Sequence, residues 1–301
     1  MSASTDAGLP RALYAARYSP QFGRWRTGLF HVMPRPRRLR VATWNILFDG
    51  DRWEARLNLL LGELARLHPD LIALQEVTPR QLEHILARDW IRAEFSTSDM
   101  DGDSVMPHGV LLLSRPAMLA PRLLPLPSQR DRKLLLADVE TAFGTLRIGV
   151  AHLESGRNQE AVRVRQLEIL GRSFSSGKPA LVVGDLNFHA DSDPEEACLP
   201  NHLRDCWREL HPADAGKTLD PDANALRGVL TRQGRKNDRA MRCDRVLLNP
   251  GPEAAWRPLQ TRRIGTAPPA RGAEAFASDH FGLIATIGRG SRSPASGNGN
   301  R

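Results

Sequence analysis

Residues 180–187 read Ala-Leu-Val-Val-Gly-Asp-Leu-Asn, an apolar run that ends in a carboxylate and a carboxamide. The run is short and β-branched and is bounded by Pro179 and Gly184, which predicts a buried strand. On an extended chain Asp185 and Asn187 would point to the same side, because alternate residues share a face. The sequence thus predicts a polar site at the carboxyl end of a central strand.

The same arrangement, an apolar strand with polar residues at its end, recurs along the chain. Besides Asp185 and Asn187, the polar residues are Asn45, Glu76, His152, Asp244, Asp279 and His280. Helices are predicted between the strands, at 53–68, 79–86 and 157–172, which indicates stacked sheets covered by helices. The polar strand ends would then converge on one edge of the fold.

Changes in composition predict three parts of the chain. Residues 1–37 are expected to form an N-terminal extension, peripheral or partly disordered, that ends in a basic and proline-rich segment. Residues 38–288 are expected to form the catalytic domain, and 289–301, which are small, polar or basic, a disordered tail. Within the domain, residues 190–236 are predicted to be mostly loops, with a helix around 201–210.

The overall composition is typical of a soluble globular protein. The 301 residues are 41% hydrophobic and 25% charged, which suffices for a large core. No apolar run approaches the length of a membrane span, and the first ten residues lack the apolar core of a signal peptide. Cys198, Cys206 and Cys243 show no metal-type spacing and cannot all pair, which favours a reduced, cytoplasmic setting.

The chain is basic, with a formal net charge of +8. Nearly all of the excess is arginine, since the only lysines are Lys133, Lys178, Lys217 and Lys236. One interpretation is attraction to a polyanion such as nucleic acid, because guanidinium groups suit phosphate. The other is a genome biased toward arginine and alanine codons, and the charge alone leaves both open.

The polar set suits a phosphate ester and a metal-bound water. Glu76 is the candidate ligand for a hard divalent cation such as Mg²⁺, which takes one or two carboxylates besides water and phosphate oxygens. An isolated glutamate at a strand end is usually a surface residue. Glu76 is one of several polar residues at strand ends, and this favours the metal ligand over the surface residue. Asn45 is expected to orient a metal-bound water or to bond Glu76. Asp185 would hold the attacking water and Asn187 would donate to a phosphate oxygen.

Two histidines complete the set. His152 and His280 are expected to donate hydrogen bonds to the phosphate, although a lone histidine is more often structural. Asp244 paired with His280 would keep that ring oriented and could keep it protonated. Asp279 would point elsewhere and could touch the metal directly or through water.

These motifs together resemble the endonuclease/exonuclease/phosphatase superfamily. In chain order they are Thr-Trp-Asn at 43–45, Leu-Gln-Glu-Val at 74–77, His-Leu-Glu-Ser at 152–155, Gly-Asp-Leu-Asn at 184–187, Arg-Cys-Asp-Arg at 242–245 and Ser-Asp-His at 278–280. The resemblance implies an α/β fold, a two-sheet sandwich flanked by helices, and hydrolysis of phosphoesters with Mg²⁺ or Mn²⁺. It implies catalytic roles for Asn45, His152, Asp185, Asn187, Asp244 and His280, and a metal site at Glu76, Asp279 and Asn45.

Within the superfamily, the stretches 74–79, 152–157, 205–207 and 278–283 resemble members that process 5′ ends of nucleic acid. In those enzymes the serine and arginine of the third motif help to hold the 5′-phosphate, and Ser155 and Arg157 match them. His189 stands where these relatives have an arginine, so it is expected to influence substrate choice. Leu47 stands where they have an acid, and Leu219 where they have an aromatic contact to nucleic acid.

We expect a metal-dependent phosphoric diester hydrolase that acts on a DNA or RNA end in repair, without a membrane or an obligate protein partner. One alternative substrate is a small phosphoester or a phospholipid headgroup. A second alternative is a catalytically inactive module that binds nucleic acid. The basic residues Arg232, Arg235, Lys236 and Arg239 either contact nucleic acid or form a solvated loop, and the solvated loop is favoured.

Overall fold

Two β-sheets with helices on their outer faces make up the fold of the chain in a computed structural model. The residues that the structure describes are 9–28, 33–48, 52–175, 177–189, 193–252, 255–267 and 276–289. None of the helices in these ranges is both long enough and apolar enough to cross a membrane.

The first sheet contains seven strands of the described residues. Their order across the sheet is β1 (Arg11–Ala12), β8 (Met118–Pro125), β9 (Lys133–Thr141), β10 (Gly144–His152), β11 (Ala180–Asp185), β13 (Asp244–Asn249) and β12 (Arg204–Asp205). β10 and β11 are parallel, whereas β11 and β13 are antiparallel. The register pairs His152 with Asp185 and Asp185 with Asp244, so the three side chains lie in a row across one edge.

The second sheet contains eight described strands. Their order is β14 (Trp256–Ile264), β15 (Gly282–Arg289), β4 (Arg38–Asn45), β5 (Leu71–Val77), β7 (Gly109–Ser114), β6 (Ser96–Thr97), β2 (Ala16–Ser19) and β3 (Arg24–Thr27). β4 and β5 are parallel, and the register of β5 against β7 shifts between Gln75 and Val77. Asn45 and Glu76 therefore reach the same edge of this sheet. The predicted two-sheet sandwich is confirmed.

Seven helices of the described residues accompany the sheets, and the longest of them cover the outer faces. They are α1 (Trp53–Leu67), α2 (Pro79–Leu86), α3 (Asp89–Glu94), α4 (Glu160–Ser173), α5 (Asp193–Ala197), α6 (Cys206–Leu210) and α7 (Ala225–Arg232). The apolar faces of α1 and α2 pack on the second sheet, and that of α4 packs on the first. α2 begins at Pro79 as predicted, because Thr78 and Gln81 form a reciprocal capping box at its start.

Apolar side chains fill both faces of the central strands. Val41, Leu181 and Val183 point between the sheets, whereas Ala42 and Val182, which alternate with them, face the helices. Each fully buried aliphatic side chain contributes about 2 kcal/mol of hydrophobic stabilisation. Burial on both faces explains why these strands are continuous apolar runs in the sequence rather than alternating ones.

The polar strand ends continue the inward-facing rows. Asn45, His152, Asp185 and Asp244 each lie an even number of positions from a residue that points between the sheets. The candidate site is thus one end of the sandwich interior, where the apolar core gives way to polar side chains.

The predicted N-terminal extension contributes strands to both sheets. β1 pairs with β8 at one edge of the first sheet, and β2 pairs with β6 in the second. Residues 1–8 and 29–32 lie outside the described residues. At the other end Arg289 is the last residue of β15, and the rest of the predicted tail, 290–301, lies outside the described residues.

Several elements were not predicted from the sequence. β8 and β14 both contain prolines, β14 also has exposed arginines, and α7 lies in the region that was predicted to be mostly loops. The helix predicted around 201–210 is shorter, because residues 204–205 form β12 and only α6 is helical. β14 does not show the apolar run that predicts a buried strand, because its outer residues are exposed and it lies at the edge of its sheet.

Gly184 sits where the site begins, and substituting it should unfold this region. A Cβ atom there would lie 1.9 Å from the carbonyl oxygen of Ala151 on β10, and φ at this residue is 136°. We expect Gly184→Ala to lower the free energy of unfolding, measured by urea denaturation, by ~3 kcal/mol or more. Gly144→Ala is the control, because φ there is 94° but no described atom lies within 4 Å of the added Cβ. Equal losses in the two variants would contradict the steric explanation.

Candidate active site

A cavity of about 500 Å³ opens at the edge of the sandwich where the strand ends meet. Seven of the residues predicted for the site line it: Glu76, Asp185, Asn187, His280, Ser155, Arg157 and His189. The four other predicted residues, Asn45, His152, Asp244 and Asp279, are buried and do not line this cavity in the described part of the chain. Seven of the predicted residues thus line the cavity, and the other four are buried behind them.

Asp185 is the centre of the hydrogen-bond network. Its Oδ2 accepts from Asn45 Nδ2 at 3.0 Å and lies 3.4 Å from His152 Nε2, while Oδ1 accepts from the backbone amide of Asn187 at 2.9 Å. Burial raises the pKa of Asp185 to about 6, and Asp244 adds to the rise, whereas the charge of His280 and the bond from Asn45 oppose it. A carboxylate with a pKa near neutrality can accept a proton from a bound water.

Glu76 reaches the cavity because the backbone of β5 is irregular. By strict alternation it would face the helices, but it is the extra residue of the bulge and adopts a left-handed conformation with φ 63°. Asn45 Nδ2 donates to its Oε1 at 3.1 Å, and the backbone amide of Phe48 donates to its Oε2 at 3.0 Å. Such backbone conformations in non-glycine residues are concentrated at functional sites.

Asn187 lies beside Asp185 for a reason other than the one predicted. β11 ends at Asp185, and Asn187 is left-handed with φ 57°, so the chain is not extended there and simple alternation does not apply. Asparagine tolerates this conformation better than most residues. Its Nδ2 donates to the carbonyl oxygen of Leu153 at 3.0 Å, which joins the ends of β10 and β11.

His152 is buried against an arginine that was not predicted. Arg132 Nη1 donates to His152 Nδ1 at 2.8 Å, which assigns the ring proton to Nε2, facing Asp185. Burial lowers the pKa of His152 well below its ordinary value, and the charge of Arg132 adds to the effect. His152 is therefore a neutral ring that donates a hydrogen bond from Nε2.

His280, unlike His152, is protonated. Its Nδ1 donates to Asp244 Oδ2 at 2.9 Å, and its Nε2 lies 3.9 Å from Asp185 Oδ2. Burial by itself would lower the pKa of His280, but Asp244, helped by Asp279 and Asp185, outweighs it and raises the pKa to about 9. The predicted Asp244–His280 pair is confirmed by this contact, and the ring is an imidazolium at neutral pH.

Asp279 is surrounded by cations. Arg227 Nη1 donates to its Oδ2 at 3.0 Å, and Lys236 Nζ lies 3.5 Å from the same oxygen. Burial by itself would raise the pKa of Asp279, but Lys236, His280 and Arg227 outweigh it and lower the pKa to about 2. Of the three predicted metal ligands, the structure brings Asn45 and Glu76 together and places Asp279 among these cations.

The donors around Glu76 suit a hard divalent cation. Its carboxylate lines the cavity, and Asn45, whose Oδ1 accepts from the amide of Leu47, fixes its orientation through Nδ2. A second group with metal-ligand spacing is Asp185, Asp244 and His280, whose ligand atoms lie within 4.8 Å of one another. His280 is protonated and bonded to Asp244, and an imidazolium has no free lone pair, so Glu76 fits the ion better.

The predicted phosphate-binding residues line the cavity. Ser155 and Arg157 follow β10, and Arg132 Nη2 lies 3.5 Å from Ser155 Oγ. Arg157 Nη2 lies 3.6 Å from Asp238, in a pair whose two side chains are mostly exposed. His189 also lines the cavity, and its influence on substrate choice stays a prediction.

The sequence pattern missed Arg132 and Arg227 as members of the site, and it favoured a solvated loop for Lys236, which lines the cavity. Arg132 immediately precedes β9, an antiparallel strand that begins at this edge, just as Asp244 begins β13, but it was not among the polar residues that the pattern singled out. The basic run Arg130-Asp131-Arg132-Lys133 at the start of that strand is the signal that could have identified it. Arg227 lies on α7, which was not predicted, and Lys236 in the loop after it.

The charge state of His280 depends on Asp244, and one substitution should show it. We expect Asp244→Asn to lower the pKa of His280 from about 9 to its ordinary value or below, because burial then prevails. Titration of the imidazole ¹⁵N resonances would measure this change. His84, which lies on α2 and is only partly buried, should titrate equally in both proteins. An unchanged titration of His280 would show that another group holds its proton.

Comparison with named relatives shows similarity to tyrosyl-DNA phosphodiesterase 2, as the motifs predict. The enzyme of Xenopus laevis is 28% identical over 250 residues, which are 80% of this chain and 64% of the relative. The human enzyme is 27% identical over 258 residues, which are 82% of this chain and 67% of the relative. The chain therefore spans about two thirds of the length of these relatives.

Solved structures show the same fold. The crystal structure of D. rerio TDP2 complexed with single strand DNA product matches 83% of this chain and 98% of that chain, with a TM-score of 0.71 and 23% identity. The human Nocturnin catalytic domain with bound sulfate matches with a TM-score of 0.61 and 19% identity. A model of the Endonuclease/Exonuclease/phosphatase family matches residues 42–280, and the chain belongs to that family.

Proposed function

We propose that the chain is a divalent-metal-dependent phosphodiesterase that hydrolyses phosphoester bonds at the ends of nucleic acid. The observation that carries this proposal is the environment of Asp185, a buried carboxylate with a pKa near 6 between a neutral and a protonated imidazole. Hydrolysis of a phosphate ester by water needs these groups: a base for the water, a donor that holds the base, and a cation near the phosphate oxygens.

Asp185 accepts the proton of the attacking water. Asn45 and the amide of Asn187 each bond one of its oxygens, so the carboxylate is held in one orientation before the water arrives. As the oxygen of the water forms its bond to phosphorus, the bond to the leaving oxygen breaks. Most of the barrier in this reaction is lowered by positioning and by neutralising the charge of the phosphate.

The two imidazoles have different roles. His280 is an imidazolium and stabilises the negative charge that develops on the phosphate and the leaving oxygen. His152 is neutral and buried, and its Nε2 faces Asp185, so it holds the base in place, with Arg132 behind it to fix the ring. Ser155 and Arg157, which line the cavity, hold the terminal phosphate.

Glu76 is the residue that would hold the metal ion, with Asn45 orienting its carboxylate. When bound, Mg²⁺ or Mn²⁺ supplies positive charge to a phosphate oxygen. We infer that the substrate is a DNA or RNA 5′ end in repair, supported by the names of the relatives and by the arginines that line the cavity. The free cysteines of the described residues support a reduced, cytoplasmic setting.

Removal of either central carboxylate should abolish most of the activity. We expect Asp185→Asn and Glu76→Gln each to lower kcat by about 10³-fold on a 5′-tyrosyl oligonucleotide with Mg²⁺, while the circular dichroism spectrum stays unchanged. The exposed Asp222, changed to Asn, is the control and should keep wild-type turnover. Near-wild-type turnover by either site variant would rule out this assignment.

The dependence of activity on salt separates a polymeric from a small substrate. For an oligonucleotide we expect log(kcat/KM) to fall steeply with log[salt], because each phosphate contact releases counterions. For bis(p-nitrophenyl) phosphate we expect a nearly flat dependence in the same buffer. A flat dependence with the oligonucleotide, or faster turnover of inositol phosphates or phospholipid headgroups, would favour a small substrate. Binding without turnover under Mg²⁺ and under Mn²⁺ would indicate an inactive module.

A further inference from the structure

Lys236 stands closer to the reacting groups than the sequence suggested. Its ammonium lies 3.5 Å from Asp279, and its charge is also felt by the buried ring of His152. The side chain lines the cavity together with Asp185 and His280 and is 30% exposed, so it is accessible to a bound ligand. A solvated loop, the interpretation favoured by the sequence, would not place a lysine there.

The loop that carries Lys236 is fixed to α7. The backbone amides of Arg235 and Lys236 both donate to the carbonyl oxygen of Leu230 in the last turn of the helix. Thr231 donates its hydroxyl to the carbonyl oxygen of Asn237, and Arg227 Nη2 donates to the same carbonyl oxygen and to the side chain of Asn237. These bonds limit the positions that Lys236 can adopt before a substrate binds.

The carboxylate of Asp279 contacts both α7 and the loop that carries Lys236. Its Oδ2 accepts a hydrogen bond from Arg227 and forms an ion pair with Lys236. Its buried Oδ1 has no hydrogen-bond partner among the described residues. One carboxylate between two cations leaves a net positive charge in the group formed by Asp279, Arg227 and Lys236. An anion is therefore attracted to the space in front of Lys236.

The predicted phosphate residues line the same cavity as Lys236. Arg157 Nη2 lies 3.6 Å from Asp238, two residues beyond Lys236, so the loop and the 3₁₀ turn at Arg157–Gln159 are in contact. A phosphate held by Ser155 and Arg157 would thus lie in the cavity that the lysine lines.

We propose that Lys236 binds a nonbridging oxygen of the substrate phosphate, and that Asp279 is the positioning residue that holds the lysine in place. The proposal rests on the proposed function and adds to it a cation from a loop and a role for Asp279 other than metal ligation. The ligand is a terminal phosphate or phosphodiester of nucleic acid.

Metal-free binding tests the lysine directly. In EDTA, fluorescence anisotropy would compare single-stranded oligonucleotides that carry a 5′-phosphate or a 5′-hydroxyl. We expect the wild-type protein to prefer the 5′-phosphate, and Lys236→Gln to lose about tenfold in affinity for it, with a salt slope reduced by about 0.7. Lys236→Arg should recover most of the preference. Lys178→Gln is the control, because it removes an exposed lysine just before β11, whose other end is Asp185.

A double-mutant cycle tests Asp279. We expect Asp279→Asn to reduce the 5′-phosphate preference in the wild-type background and to have no effect in the Lys236→Gln background, because it acts through the lysine. A merely structural aspartate would lower affinity in both backgrounds. We also expect the Mg²⁺ concentration for half-maximal activity to stay unchanged in Asp279→Asn, whereas loss of a metal ligand would raise it.

The outcomes separate this inference from the proposed function. Equal 5′-phosphate preference in Lys236→Gln and wild-type protein, or no preference in the wild type, overturns the inference. A wild-type protein that shows the Lys236-dependent preference but hydrolyses no substrate supports the inference and overturns the proposed phosphodiesterase activity. A rise in the Mg²⁺ requirement of Asp279→Asn overturns the role of Asp279.

Discussion

The burial of one carboxylate, Asp185, is the constraint that orders the site around it. An ionised carboxylate in the interior is expensive unless donors and cations surround it. Asn45, the amide of Asn187 and His152 supply the donors, and His280 supplies the cation. These partners need support of their own, and the chain provides it: Arg132 stands behind His152 and Asp244 behind His280. The strand register makes this possible, because it sets His152, Asp185 and Asp244 side by side.

The sequence was sufficient to predict the two-sheet fold and most of the polar strand ends. Polar residues after apolar runs are visible in the pattern, and the Asp244–His280 pair follows from their chemistry. The pattern did not show that Glu76 turns inward, because a bulge depends on the neighbouring strand and not on local residue order. Arg132 was missed because it lies in a run of charged residues before β9, and only its contact with the buried ring of His152 identifies it as part of the site. α7 was missed because only eight residues form it, among loops.

The excess of arginine has more than one structural use, which is why net charge alone left its meaning open. Some arginines are buried and serve the fold. Arg56 donates to the carbonyl oxygens of Ile46 and Leu47, and Arg242 and Arg245 share the carboxylate of Asp205. Others line the cavity, and of these Arg132 and Arg227 support site residues, whereas Arg157 is mostly exposed. Only a structure can separate the two uses, because both appear in the sequence as the same residue type.

The hydrogen bonds of Asn45 make the geometry of the active site depend on the apolar core. Its side-chain amide bonds Glu76 of its own sheet and Asp185 of the other sheet, so a single NH₂ group ties the two sheets together at the site. The distance between those carboxylates is consequently set by the thickness of the apolar core beneath them. A hydrogen bond weakens when it is stretched by a few tenths of an ångström. Core residues far from any phosphate therefore determine how far apart Glu76 and Asp185 lie, because the interior of the sandwich separates the two sheets.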